Sequence, residues 1–159
     1  MVNIKEAARA AATAYGLAAQ KGGNDSVSLA EVAASLASFY LTNFTSFTLG
    51  LVTTLPDNAT AGVLTQLRLL NTSGVGTDIR PCGARVEVVS SKSAICWVTF
   101  EIYPRSRNLA RWTWTNVYGF RLEEGRGNGL DGGWEYTNPD QEFQELLERV
   151  PDFFSGGHV

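Results

Sequence analysis

The residues best placed to do chemistry lie in two neighbouring runs, SAICWVTFEIYP (93–104) and NLARWTWTNVYGFRLE (108–123). Both are rich in β-branched and aromatic residues and are joined by a polar turn, the pattern of an antiparallel pair. Side chains alternate along a strand. Trp97, Thr99, Glu101 and Tyr103 therefore share one face of the first run, and the apolar Cys96, Val98, Phe100 and Ile102 share the other. On the second run Trp112, Trp114, Asn116, Tyr118 and Phe120 share a face. In a dry pocket a carboxyl group raised toward neutrality serves as a general base, and a nearby amide supplies the hydrogen bond that an isomerase or dehydratase needs. One arrangement thus makes Glu101 the base and Asn116 the donor, with Trp97, Trp112, Trp114 and Tyr118 around a ligand. The other packs the apolar face on the helices and turns the Trp97–Tyr103 face outward, where two subunits meet and aromatics are also common. A one-residue slip between the strands interchanges the two sides.

Such strands need helices to cover their apolar face. Asn3-Ile-Lys-Glu6 is a capping arrangement opening an alanine-rich helix to about residue 20; KGGND ends it, and Ser28-Leu-Ala-Glu31 opens a second. Leu29, Val32, Ala33, Leu36, Phe39 and Tyr40 fall on one face of that second helix. A strand is expected over 44–54, a turn at Leu55-Pro56-Asp57, a short helix over 60–71 and a further strand over 84–91. EEGRGNGLDGG is glycine-rich, but no helix follows it, so it lacks the helix amino terminus that a phosphate-binding loop requires. GGWEYT is the last strand. Asn138 is then expected as the cap, and Pro139 as the first residue, of a closing helix. Its Phe143, Leu146, Leu147 and Val150 make an apolar stripe that Pro151 ends.

A chain of 159 residues suits one domain, 1–159, able to bury a sizeable core. Net charge is −3, which argues against a nucleic-acid partner; Arg105, Arg107 and Arg111 read as a solvated turn rather than a basic patch. No apolar run is long enough to span a membrane. The start MVNIKEAARA lacks the basic-then-apolar pattern of a secretory signal, so a cytoplasmic location is expected, with the sequons at Asn24, Asn43, Asn58 and Asn71 unused. Cys82 and Cys96 are too few for a disulfide framework or a zinc site, and both are expected to be reduced and buried. With no metal or nucleotide motif, cofactor-free chemistry is expected.

The order helix, helix, strand, short helix, three long strands and a final strand is carried by AYGLAAQKGG, LASFYLTNFTSFTLG, WVTFEIYP, WTWTNVYGF and GGWEY. It resembles the nuclear-transport-factor-2-like superfamily, which includes ketosteroid isomerase, scytalone dehydratase and the SnoaL-like polyketide cyclases. The likeness covers nearly the whole chain as a pattern of elements rather than as a signature motif. It implies an α+β fold: a cone-shaped, mostly antiparallel sheet wrapped around N-terminal helices, with an apolar pocket and homodimers through the outer sheet face. The closing helix then acts as a lid, like the extra segment of scytalone dehydratase, or as a dimer contact. Tyr15 matches the first-helix tyrosine of ketosteroid isomerase and becomes a second candidate donor. Tyr40, Phe44, Trp134 and Phe143 join the expected ligand wall. Neither known catalytic set is present. Phe47 or Thr48 stands where the isomerase has its aspartate, Thr42 and Asn43 replace the common acidic pair, and His158 is the only histidine. The expected ligand is a hydrophobic, partly aromatic small molecule. An isomerase, dehydratase or cyclase of secondary metabolism would act on it; alternatively, a non-catalytic module of the same fold would bind it.

Overall fold

A computed structural model describes residues 1–155, so His158 lies outside the described residues. Helix α1 (Ile4–Gln20) starts at its capping residue, Asn3, whose side chain accepts a hydrogen bond from the Glu6 N–H at 3.1 Å. Ala7, Ala8, Ala11 and Ala12 are buried; small side chains let the helix lie close to the sheet. Gly16 takes this furthest, since a Cβ there would stand 2.8 Å from Pro81 Cβ. Helix α2 (Leu29–Ala37) is capped by Ser28 and stops before Phe39 and Tyr40, which leave the helical face expected for them. Tyr40 opens β1 (Tyr40–Thr48).

The run expected as one strand over 44–54 is two, β1 and β2 (Leu51–Leu55), joined by Leu49-Gly50. Both turn residues have positive φ, 50° and 86°. That two-residue turn matches the twist of the strands but suits Asn-Gly rather than Leu-Gly. Leu49 is 40 % exposed, so its replacement loses little burial. Leu49→Asn is expected to stabilise the protein by up to roughly 1 kcal/mol, because the short asparagine side chain hydrogen-bonds locally and so escapes part of the left-handed penalty that leucine bears. Urea unfolding checks this, and an unchanged or lower midpoint would show that the turn holds no such strain.

Helix α3 (Thr60–Thr72) follows, then β3 (Ile79–Val88), β4 (Ser93–Ile102), β5 (Trp112–Leu122), β6 (Gly132–Asn138) and helix α4 (Asp140–Arg149). The strands form one open sheet in the order β2-β1-β6-β5-β4-β3. Among the described residues only β1 and β6 pair in parallel, so the sheet is mixed and mostly antiparallel. β3 begins earlier than expected and runs through Pro81, a residue tolerated because β3 is an edge strand. The register shift between Pro81 and Gly83 leaves Cys82 exposed, not buried; Cys96 is fully buried. β5 starts at Trp112, because Asn108–Arg111 belong to the turn. Asn138 ends β6 while its side chain still accepts from the Asp140 N–H, so the helix begins one residue later than expected.

Helix α1 packs on β3, β4, β5 and β6, α2 packs on α3, and α4 packs on β5 and β1. Along β4 the burial alternates residue by residue: Ala94, Cys96, Val98, Phe100 and Ile102 face the core. Among the described residues no helix is long and apolar enough to cross a membrane.

Candidate active site

Four elements bring polar groups together inside this apolar layer. Tyr15 comes from α1, Tyr40 from β1, Asn116 and Tyr118 from β5, and Gln66 from α3. Helix α4 adds Glu142 and Phe143, completing a cavity of about 110 Å³ otherwise walled by residues such as Leu36, Leu67, Phe100 and Trp114. The polar face of α4 is pinned at its start: Gln141 Oε1 accepts from the Thr115 N–H, and Asp140 Oδ1 accepts from the Leu49 N–H at 2.6 Å. At its far end Arg149 lies 4.5 Å over the Trp112 ring.

Glu142 is half-buried as a residue because it borders the cavity, while its carboxyl group is enclosed by protein. Asn116 Nδ2 donates to Oε1 at 2.7 Å and Gln66 Nε2 donates to Oε2 at 3.0 Å. Burial pushes this carboxyl up to about 7, although both amide hydrogen bonds favour the charged form. Asn116 Nδ2 also donates to Tyr118 Oη at 3.2 Å, and the Tyr15 and Tyr40 hydroxyls share a 2.6 Å hydrogen bond. Burial raises all three phenols, Tyr40 to about 12, so they stay neutral near pH 7 and act as hydrogen-bonding groups. The set combines one carboxyl that exchanges protons near neutrality, neutral phenols and apolar walls, the parts of general acid–base catalysis. Among the described residues no cluster of three or more His, Cys, Asp or Glu side chains is placed to share a metal ion.

No protein-family model matches the sequence, and no curated protein is significantly similar. Solved structures are similar. An NTF-2-like protein of unknown function from Shewanella oneidensis superposes with a TM-score of 0.54 at 9 % identity, over 84 % of this chain and 95 % of that one. A ketosteroid isomerase-like protein from Erwinia carotovora atroseptica gives 0.57 at 13 % identity, over 87 % and 95 %. LinA gives 0.51 at 14 % identity, over 84 % of each chain. The chain has the nuclear-transport-factor-2-like fold. At such identities the likeness concerns the fold alone.

Within the nuclear-transport-factor-2-like cone, the pairing of β4 with β5 decides which face meets the cavity. Val98 lies opposite Asn116, Phe100 opposite Trp114 and Ile102 opposite Trp112, so these side chains point inward together. Trp97 pairs with Val117 and Glu101 with Thr113, on the other face of the sheet. Glu101 therefore does not share a face with Asn116, and Trp97 does not share one with Trp114. Outside, Arg85 stands 3.9 Å over the Trp97 ring and pairs with Glu87 at 3.2 Å. Of the other expected site residues, Tyr15, Tyr40, Trp114, Asn116, Tyr118 and Phe143 border the cavity. Phe44 stacks behind Tyr40 at 4.1 Å and Trp134 behind Tyr118 at 5.0 Å, both as core. Trp112 borders a separate small void. The sequence pattern does not single out Glu142 or Gln66. One signal did exist: Glu142 precedes Leu146 by four residues and so flanks the apolar stripe of α4.

Proposed function

We propose that the protein binds a hydrophobic small molecule in this cavity and moves a proton on it, as an isomerase or lyase in which Glu142 is the base. The observation that carries the reading is the enclosed Glu142 carboxyl, held by Asn116 and Gln66 and facing a space walled by phenols and apolar side chains. A carboxyl poised near neutrality both takes and returns a proton at working pH. The ionised carboxylate would accept a hydrogen from carbon, and the electron pair left behind would move onto an adjacent carbonyl oxygen. Tyr118 or Tyr40 would donate a hydrogen bond to that oxygen, and return of the proton to another carbon completes an isomerisation. Departure of a leaving group from the neighbouring carbon makes the same first step an elimination. The ketosteroid isomerase-like neighbour is compatible with this class by name, and the fold hosts it by analogy.

The test needs no knowledge of the natural substrate. Exchange of the α-hydrogens of cyclohexanone in D₂O, followed by proton NMR, is expected to be accelerated by the protein. Glu142→Gln is expected to lose that acceleration by roughly 10²–10⁴-fold, the usual contribution of a positioned base. Glu101→Gln, on the outer face, is expected to keep it. Exchange no faster than in buffer, or exchange retained by Glu142→Gln, overturns the reading.

A further inference from the structure

We infer that the cavity selects an uncharged molecule of single-ring size, and that Trp114 is the wall that limits its length. The inference rests on the proposed function only for the choice of cavity; it concerns binding, whether or not a reaction follows.

The charge argument starts from the wall. Among the described residues it holds one carboxyl, Glu142, three phenols and no lysine, arginine or histidine. An anionic ligand would meet Glu142 in a low-dielectric space with no cation to offset the repulsion. A cationic ligand would lose its hydration, with no charge to meet it while Glu142 is protonated; once Glu142 ionises, the Asn116 and Gln66 amides, whose N–H dipoles point their positive ends at the same place, offset part of the attraction. A neutral molecule with one acceptor atom meets neither cost. The phenols offer it a donor, and the protonated form of Glu142 offers another.

The size argument comes from the cavity floor. The main space is about 110 Å³, and a second void of about 10 Å³ lies beyond it, lined by Ile102, Trp112 and Leu146. Leu70, Ile79, Trp114 and Glu142 border both spaces, so they form the partition between them. Trp114 is the largest of the four, and Phe100 backs its ring at 5.9 Å. Cavities of this order hold a single ring. The Trp114 indole Nε1 is buried without a hydrogen-bond partner in the structure, so a smaller apolar residue there removes no hydrogen bond while joining the two spaces.

The experiment is a calorimetric and thermal-shift comparison of four probes that differ in charge or size: cyclohexanone, cyclohexanecarboxylate, cyclohexylammonium and the two-ring ketone 1-decalone. Wild-type protein is expected to bind cyclohexanone at least about tenfold more tightly than either ion or the two-ring ketone, a difference of about 1.4 kcal/mol. Trp114→Leu is expected to gain 1-decalone binding by a similar factor; if that variant does not fold, Trp114→Phe is read the same way. The groups facing Glu142 are the phenols of Tyr40 on β1 and Tyr118 on β5, with Tyr15 of α1 behind them; α3 contributes the neutral Gln66. Only Glu142 therefore titrates near neutrality, so cyclohexanone affinity is expected to fall from pH 6 to pH 8 in wild type and to stay level in Glu142→Gln. Equal binding of an ion or of 1-decalone by wild type overturns the selectivity, and no gain in either Trp114 variant overturns Trp114 as its cause. Selective neutral binding without α-hydrogen exchange would keep this inference and remove the catalytic one.

Discussion

Between pH 5 and pH 8 the wild-type protein is expected to lose roughly 2–3 kcal/mol of stability relative to Glu142→Gln. The sign follows from which state holds the proton. An unfolded glutamate has a pKa near 4.5, whereas burial raises Glu142 in the folded protein to about 7. Between those values the folded state binds a proton that the unfolded state has released, so stability falls as pH rises. The loss begins near the unfolded pKa and is complete once pH has passed the folded one. Its full size is the difference between the two pKa values at 1.36 kcal/mol per unit, about 3 kcal/mol, and most of it falls above pH 5. The glutamine variant removes the titration. It is expected to fold, because the Asn116 Oδ1 has no partner and a turned Asn116 amide can accept from the new NH₂ group. Urea unfolding of both proteins at pH 5, 6, 7 and 8 and constant ionic strength gives the comparison. Parallel stability curves would mean that Glu142 is solvated, and the acid–base reading would lose its physical basis.

Trp134→Ala is expected to cost about 3–5 kcal/mol, the range for removing a fully buried large aromatic. Trp134 has no exposed surface. Its ring stacks on Tyr118 at 5.0 Å and meets Tyr15 edge-on at 5.7 Å, and its backbone N–H donates to Phe39 O at 2.8 Å. The strand that carries it, β6, lies in the sheet between the β1–β2 hairpin and the β5–β4–β3 meander. Truncation therefore leaves a cavity at the seam of the sheet and removes the backing of two cavity phenols. A loss of this size is a large part of an ordinary domain's stability. Trp134→Phe keeps a ring against Tyr118 and deletes a buried indole N–H that has no partner, so it is expected to cost distinctly less. Thermal unfolding of both variants measures this. An alanine variant within about 1 kcal/mol of wild type would show that the seam repacks without Trp134.

Much of the scaffold is legible in the order of the residues. Asn3 and Ser28 act as caps because their side-chain oxygens meet free N–H groups wherever a helix starts. The apolar Cys96–Ile102 face of β4 is buried as its alternation requires, and Phe143 and Leu146 bury the stripe of α4. Arg85 and Glu87, two residues apart on β3 and so on one face, form an exposed ion pair. These features depend on period and on near neighbours, and a sequence carries both.

The site depends on contacts between distant parts of the chain. Nothing local in residues 93–123 states that Ile102 pairs with Trp112, yet that register puts Asn116 and Tyr118 inside and leaves Glu101 outside. Glu142 is one of several acids along α4, and in the sequence it looks as solvated as Glu145 or Glu148. Only when α4 is laid against β5 and α3 do Asn116 and Gln66 reach its carboxyl and the surrounding apolar walls raise its pKa. Residue order was enough for the helices, the strands and their apolar faces, since each of these is a matter of local period. Which carboxyl lies in the cavity was settled by packing, because desolvation belongs to a place in the fold and not to a residue type.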